Sequence, residues 1–303
     1  MPAVRRPKTD LVEVFGHAPD DLSPTARSLW SLAACPFTNQ ACSKTNHDRS
    51  ITYGTCTVTA SGKPCIVCPN RLYESDYAAL RRVSHEAFGD AAFLMFDRYV
   101  PRRAESGPFV VPLGHNSGRE VKLSGQMSMD WVLALVHRGK LQAYVGVEVQ
   151  SIDTTGNYRD TWYGYRNLLH GVAATIPESE HGLNWANVHK RLIPQIIRKG
   201  LVYSRSTLVQ HGLYFIVPEV VYQKFEGVIG ADIKADHADG PGTLTVHTYG
   251  LSSAGPHGAM RHLVRNRCLK LSLDDFAQRF VDGPNLPPSA DLDNVVRTSL
   301  GCR

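Results

Sequence analysis

No run of eighteen consecutive apolar residues occurs in this 303-residue chain, so no segment is a candidate for a membrane-crossing helix. The opening stretch, MPAVRRPKTDLVEV, is basic but has no apolar core of the kind a secretory leader needs. A cytoplasmic protein with no membrane partner is expected. Internal repeats and low-complexity tracts are missing, which sets aside solenoid arrays and flexible linkers. The thirteen histidines form no ligand-spaced cluster. Neither sign of charge dominates: 33 Lys and Arg face 28 Asp and Glu, a net +5. That excess suits a polyanionic partner without requiring one. What is left is an ordinary globular composition, 43% hydrophobic and 20% charged. It provides for a sizeable core in one large or two smaller domains.

Cysteine is scarce except in one place. Of the seven, five fall between residues 35 and 68, and only Cys268 and Cys302 lie outside. In a reducing compartment such clustering favours a metal site over disulfides. The surrounding segment is rich in Thr, Ser, Asn and Gly and has little helical periodicity. A tetrathiolate metal is what would order such a stretch. Cys35, Cys42, Cys56, Cys65 and Cys68 compete for four positions. Cys65-x2-Cys68 has knuckle spacing and is the first pair by pattern alone, but no second CxxC exists. Zn²⁺ and Fe both accept four thiolates. Buried free thiols are the plain alternative.

The second concentration of chemistry is a hairpin. Two apolar runs, Trp131–Val136 and Leu141–Val149, flank the polar His137-Arg138-Gly139-Lys140. β-branched and aromatic residues around a Gly-containing break predict paired strands. Asp130 opens the first strand. Glu148 and Gln150, two apart on the second, point to one face while Val147 and Val149 point to the other. A carboxylate buried there needs a partner or a metal. Oxygen ligands of this kind suit Mg²⁺, the pattern of a metal-dependent phosphodiesterase. A strand-edge Asp with a solvated Glu would look the same.

Elsewhere, Ser23 and Pro24 start a helix over 22–34, with Ala26, Leu29, Trp30 and Ala33 on one face. A second helix is expected over 75–88, capped by Ser75 and ended by Gly89. Strands are expected at Ala92–Val100, Phe109–Leu113 and Glu120–Leu123. A polar loop follows the hairpin, then a helix over Trp162–Ile176. Pro194 should kink or divide the helical stretch Leu183–Gly200. Lys190, Arg191, Arg198 and Lys199 cluster on it, as a solvated face or as phosphate contacts. Strands at Leu208–Val217 and Thr243–Leu251 follow, with helices at Glu219–Phe225 and from Ser272 onward. This order predicts an α/β (α+β) fold around one mixed central sheet.

Several of these pieces occur together. They are Phe15-Gly16, the CPF at 35–37, Gly54-Thr55-Cys56, Cys68-Pro69-Asn70-Arg71, Asp130-Trp131-Val132, EVQSIDTTGNY at 148–158, NW at 184–185 and KRLIPQII at 190–197. In this order, across most of residues 12–200, the chain resembles the NotI family of type II restriction endonucleases, EagI-like enzymes included. Beyond residue 200 there is no motif-level similarity. The resemblance implies a PD-(D/E)xK nuclease core and a small N-terminal module holding iron on cysteines. It also implies a homodimer that cuts double-stranded DNA at a GC-rich palindrome. Residues 1–72 would form the N-terminal helix and metal module, and 73–303 the nuclease core with its DNA-recognition elements. By the same resemblance Asp130 and Glu148 would bind Mg²⁺, and Gln150 would stand where most such nucleases carry lysine. Cys35, Cys42, Cys56 and Cys68 would hold the structural Fe, or Zn, leaving Cys65 as the extra thiol.

The expected activity is therefore Mg²⁺-dependent hydrolysis of phosphodiester bonds in both strands, with Gln150 orienting water through its carboxamide. Guanines are commonly read by forked Arg or Lys, and Arg159, Arg191, Arg198, Arg261, Arg265 and Arg267 are candidates. Glu86 and Glu120 are possible further acids. The main alternative is a metal-stabilised, sequence-specific DNA-binding protein without catalysis. A repair nuclease without a fixed site and a redox protein built on Cys65 and Cys68 are more distant rivals.

Overall fold

The computed structural model describes residues 8–117, 119–123, 127–172 and 175–301; Cys302 lies outside them. In chain order, β1 is Leu11–Val14, α1 Pro24–Leu32, β2 Thr55–Ala60 and β3 Lys63–Ile66. Next come α2 (Glu74–Phe88), β4 (Ala92–Phe93), β5 (Pro108–Gly114), β6 (Trp131–His137) and β7 (Lys140–Val149). The second half holds α3 (Arg159–Leu169), α4 (Ile193–Ser204), β8 (Leu213–Pro218), α5 (Glu219–Ile229) and β9 (Thr243–Leu251). The last elements are β10 (Leu263–Ser272), α6 (Leu273–Val281) and α7 (Ser289–Leu300).

Seven strands form one mixed sheet in the order β10-β9-β8-β7-β6-β5-β4. The central hairpin β6–β7 is antiparallel, with Trp131 opposite Val147 and His137 opposite Lys140. Its turn residues Arg138 (φ 52°) and Gly139 (φ 71°) both lie in the left-handed region, as a two-residue hairpin loop needs to match strand twist. From β7 the chain crosses over through α4 to β8, which pairs parallel to β7. A second crossover through α5 places β9 parallel to β8. The expectation of a mixed α/β sheet is met. Residues 11–14, 55–60 and 63–66 make a separate three-stranded antiparallel sheet. Its Leu11, Val14 and Val58 belong to the same apolar cluster as Phe215 and Val246 of the large sheet.

Side-chain alternation gives the large sheet two cores. Val145, Val147 and Val149 pack with Leu80 and Val83 of α2 on one face. Phe215 and Val246 pack with Ile196 of α4 and Phe225 of α5 on the other. Buried Arg71 joins the small sheet to α2: it donates from Nε to Glu13 (3.0 Å), from Nη1 to Glu74, and from Nη2 to the Arg261 carbonyl. Among the described residues no helix is long and apolar enough to cross a membrane.

Several local expectations need correction. Ser75 is not a cap; it sits inside α2 with φ 53°, and Asp76 and Tyr77 share that left-handed geometry. The run Ala92–Val100 is a strand for two residues only and then a helix, Phe96–Arg102. The polar loop after the hairpin contains a strand, Thr154–Asn157, paired with Glu180–Leu183. The helix expected to reach Ile176 ends at Leu169. Strand β10 and helix α7, both rich in charged or small residues, were not expected. Pro194 marks a change of helix type: a wide π-type turn, Val188–Leu192, runs directly into α4 with Leu192 and Ile193 both right-handed helical, and the wider turn accommodates the proline's missing N–H.

Candidate active site

Glu148 and Gln150 share the sheet face covered by α4, and the reason is local. Gly146, two residues before Glu148, carries no side chain, so the Tyr203 ring of α4 lies directly on it; a Cβ there would come within 2.2 Å of Tyr203 Cζ. Four helical residues advance about 6 Å and two strand residues advance nearly the same distance. One helical turn before Tyr203, Lys199 is therefore delivered to Glu148. Its Nζ donates to Glu148 Oε2 and lies 3.9 Å from Asp130 Oδ1.

Asp130 sits at the mouth of β6. Its Oδ2 accepts from the Val149 backbone N–H (3.0 Å) and from Gln150 Nε2 (3.2 Å). Its own N–H points at Glu148 Oε1 (3.4 Å). The structure thus brings Asp130, Glu148 and Gln150 together, and adds Lys199. Glu148 is 1% exposed. Burial, reinforced by the Asp130 carboxylate, pushes its pKa from the ordinary 4.5 up to about 8, and Lys199 only partly opposes this.

Asp130, Gln150 and Lys199 open into a cavity of about 380 Å³ that is also lined by Arg191, Gln195 and Arg198. A smaller one, about 170 Å³, shares Gln150, Arg191 and Gln195 and continues past Asp153 and Asn187 to Lys44 and Pro69. The EVQSIDTTGNY and KRLIPQII segments thus line one continuous groove that runs toward the cysteine-rich segment. A larger cavity, about 580 Å³, lies beside Thr59, His181 and Trp185, and no carboxylate lines it. The donor set around Asp130 fits a divalent cation: two carboxylates converge on one point, and a positive charge, the Lys199 ammonium, already lies against both.

Of the basic residues, Arg191 and Arg198 face this cavity. Arg267 does not; it forks onto Glu219 and Glu226 over the Tyr222 ring. Arg265 pairs with Glu86, Arg159 donates to Tyr53 Oη (3.4 Å), and Arg261 to the Ser252 carbonyl (2.6 Å). Glu120 stands one residue away from the cavity, accepting from Ser128 Oγ (2.5 Å). Glu86 is remote from it. Lys199 was the residue to find. Its sequence signal was weak: one basic residue among four, distinguished only by falling on the apolar stripe with Ile196 and Tyr203.

The cysteines also sort themselves. Cys35 and Cys56 are buried around Phe37, with Cys42 packed against them. Burial raises the thiols of Cys42 (to about 11), Cys56 and Cys68, and in each a neighbouring thiol of the group Cys35, Cys42, Cys56 and Cys68 adds to the rise. Cys65 is raised to about 12 by burial alone and belongs to the main core. The four thiols are neighbours and the fifth stands apart, a donor set suited to a soft or borderline metal. Among the described residues, however, the group of three potential ligands whose atoms all lie within 4.8 Å of one another is elsewhere, at Glu86, His247 and Cys268.

No protein-family model matches the chain, and no curated protein matches it.

Proposed function

We propose that the chain is a Mg²⁺-dependent endonuclease of the PD-(D/E)xK type, cutting both strands of duplex DNA at a short GC-rich palindrome as a homodimer. The observation that carries this reading is the convergence of Asp130, Glu148, Gln150 and Lys199 at one end of β6–β7, in a cavity flanked by Arg191 and Arg198. Asp130 and Glu148 would hold Mg²⁺, which supplies polarisation of the scissile phosphate and a lower pKa for the attacking water.

The chain's own residues do the rest. Arg191 and Arg198 neutralise the phosphates that enter the groove. Gln150, held by its bond to Asp130, orients the water through its carboxamide but cannot carry charge. Lys199 supplies the positive charge missing at that position, from a helix instead of the strand. It keeps Glu148 in place and offers an ammonium beside the reacting phosphate. Cys35, Cys42, Cys56 and Cys68 would hold a structural Fe or Zn that orders the segment at the far end of the groove. A palindrome read by a protein two-fold calls for two copies of the chain.

The test is digestion of plasmid and phage DNA with and without Mg²⁺, beside Glu148→Ala and Lys199→Met. Discrete Mg²⁺-dependent fragments, lost in Glu148→Ala, support the reading. A smear would point to cleavage without a fixed site. Intact DNA under every condition, with a gel shift on a defined sequence, would replace it with a binding protein that has no catalysis.

A further inference from the structure

On the opposite face of the large sheet, three side chains from distant parts of the sequence meet. The pairing registers Glu148 with Phe215 and Phe215 with Val246. His247, one residue further, therefore points away from the candidate active site. It is fully buried. Directly opposite it across the antiparallel β9–β10 pair is Cys268, which reaches the surface. Glu86, near the end of α2, closes the third side, with Oε2 at 2.9 Å from His247 Nε2.

Two features distinguish this group from a chance surface cluster. The first is that the buried imidazole of His247 is flanked by two potential ligands, Glu86 Oε2 at 2.9 Å from its Nε2 and the Cys268 thiol within side-chain hydrogen-bonding reach. An imidazole held between a carboxylate and a thiol is a common metal ligand. The second is that its surroundings hold the ligands in place. Tyr214, on the next strand, meets the imidazole edge-to-face with centroids 5.7 Å apart. Arg265 grips the other oxygen of Glu86, Oε1, at 2.7 Å. That turns Oε2 toward His247 Nε2, as outer-shell partners orient metal-binding carboxylates.

We propose that Glu86, His247 and Cys268 form a binding site for a zinc-class divalent cation, with three protein ligands and an open fourth position. One candidate ligand atom from each residue lies within 4.8 Å of the others. Bonds of about 2.0–2.3 Å to a common tetrahedral centre put ligand atoms about 3.3–3.8 Å apart, so side-chain shifts of up to about 1 Å close the shell. One nitrogen, one sulfur and one carboxylate oxygen select a borderline ion; Mg²⁺ prefers an all-oxygen shell. Bound there, the ion ties α2 to the edge strand β10 and its neighbour β9.

The experiment titrates the full-length chain with Co²⁺, following visible absorption and counting bound ions by native mass spectrometry. Cys268→Ser and Glu86→Gln are compared with the wild type, since both positions are at least partly exposed and tolerate replacement. The wild type should bind one ion more than Cys268→Ser and show one additional thiolate charge-transfer contribution. Glu86→Gln should weaken that ion at least tenfold, and excess Mg²⁺ should not displace it. Any metal on the N-terminal cysteines is common to all three proteins and cancels in the comparison. Equal stoichiometry and affinity in the wild type and both variants would overturn the assignment, as would displacement by Mg²⁺.

Discussion

Glu148 should make the protein less stable as pH rises, and divalent cation should reverse the effect. Its carboxyl group has an ordinary pKa of 4.5 when the chain is unfolded and about 8 when folded, because it is buried beside Asp130. A folded pKa above the unfolded one gives stability that is fully present below pH 4.5 and lost by the time pH passes 8. Within that window the folded chain holds a proton that the unfolded chain has released, so stability falls by about 1.4 kcal/mol per pH unit. From pH 5 to 7 the loss is about 3 kcal/mol, a large share of a typical domain's stability. The suitable reference is the double variant Glu148→Gln with Lys199→Met, which keeps the volume and removes both charges; such replacements are often neutral or stabilising. Urea midpoints in Mg²⁺-free buffer at pH 5, 6 and 7 give the difference directly. Relative to the variant, the wild type should lose stability steadily across the series. Mg²⁺ at about 100 times its Kd should then return about 2.7 kcal/mol at pH 7 to the wild type, and nothing to the variant. A difference that is flat in pH, or rises with it, would mean that Lys199 alone compensates Glu148 and that the site is not poised for a second cation.

Arg198→Gln should weaken duplex DNA binding and reduce the slope of log K against log salt by about 0.9, measured by fluorescence anisotropy; an unchanged slope would take Arg198 out of the phosphate groove. Arg71→Met leaves the buried Glu13 carboxylate without its cation, with the Thr57 hydroxyl still donating to it, and should cost about 3–5 kcal/mol in chemical unfolding, with a loss below 1 kcal/mol showing that water or another group replaces the guanidinium. Gly146→Ala pushes Tyr203, and with it the Lys199 helix, off the strand. It should cost about 1–3 kcal/mol and reduce DNA cleavage more than it reduces DNA binding, with circular dichroism checking that the variant is folded.

The parts of the fold legible in the sequence are those where one physical signal dominates. The β6–β7 hairpin announced itself through two β-rich runs around Arg138-Gly139, and its alternation placed Glu148 opposite Val147 and Val149. Ser23 and Pro24 marked α1, whose Ser23 side chain does accept from Ala26 N–H, and Ser272 marked α6 in the same way. Failures came where signals competed. Ala92–Val100 is apolar enough for a strand, yet most of it turns helical from Phe96. Strand β10 alternates half-buried residues, Arg265 and Arg267 among them, with exposed ones such as Val264 and Asn266, and its charged side chains are satisfied by Glu86, Glu219, Glu226 and Asp239, all distant in sequence. No local pattern encodes those partners.

The candidate site shows the same division more sharply. Strand parity is local, so the two acids and the glutamine could be placed on one hairpin from the sequence. The fourth member depends on a crossover fifty residues long and on one missing side chain. Gly146 admits Tyr203, Tyr203 sets the height of α4, and Lys199 follows one turn earlier. In the proposed nuclease, the charge that Gln150 cannot carry is thus supplied by geometry, from an element whose sequence reads as an ordinary basic amphipathic helix. If Lys199 does supply that charge, moving it back should restore function: Lys199→Met with Gln150→Lys should cleave DNA better than Lys199→Met alone. If the second substitution gives no recovery, with both proteins folded and DNA still bound, Lys199 acts only by holding Glu148 in place.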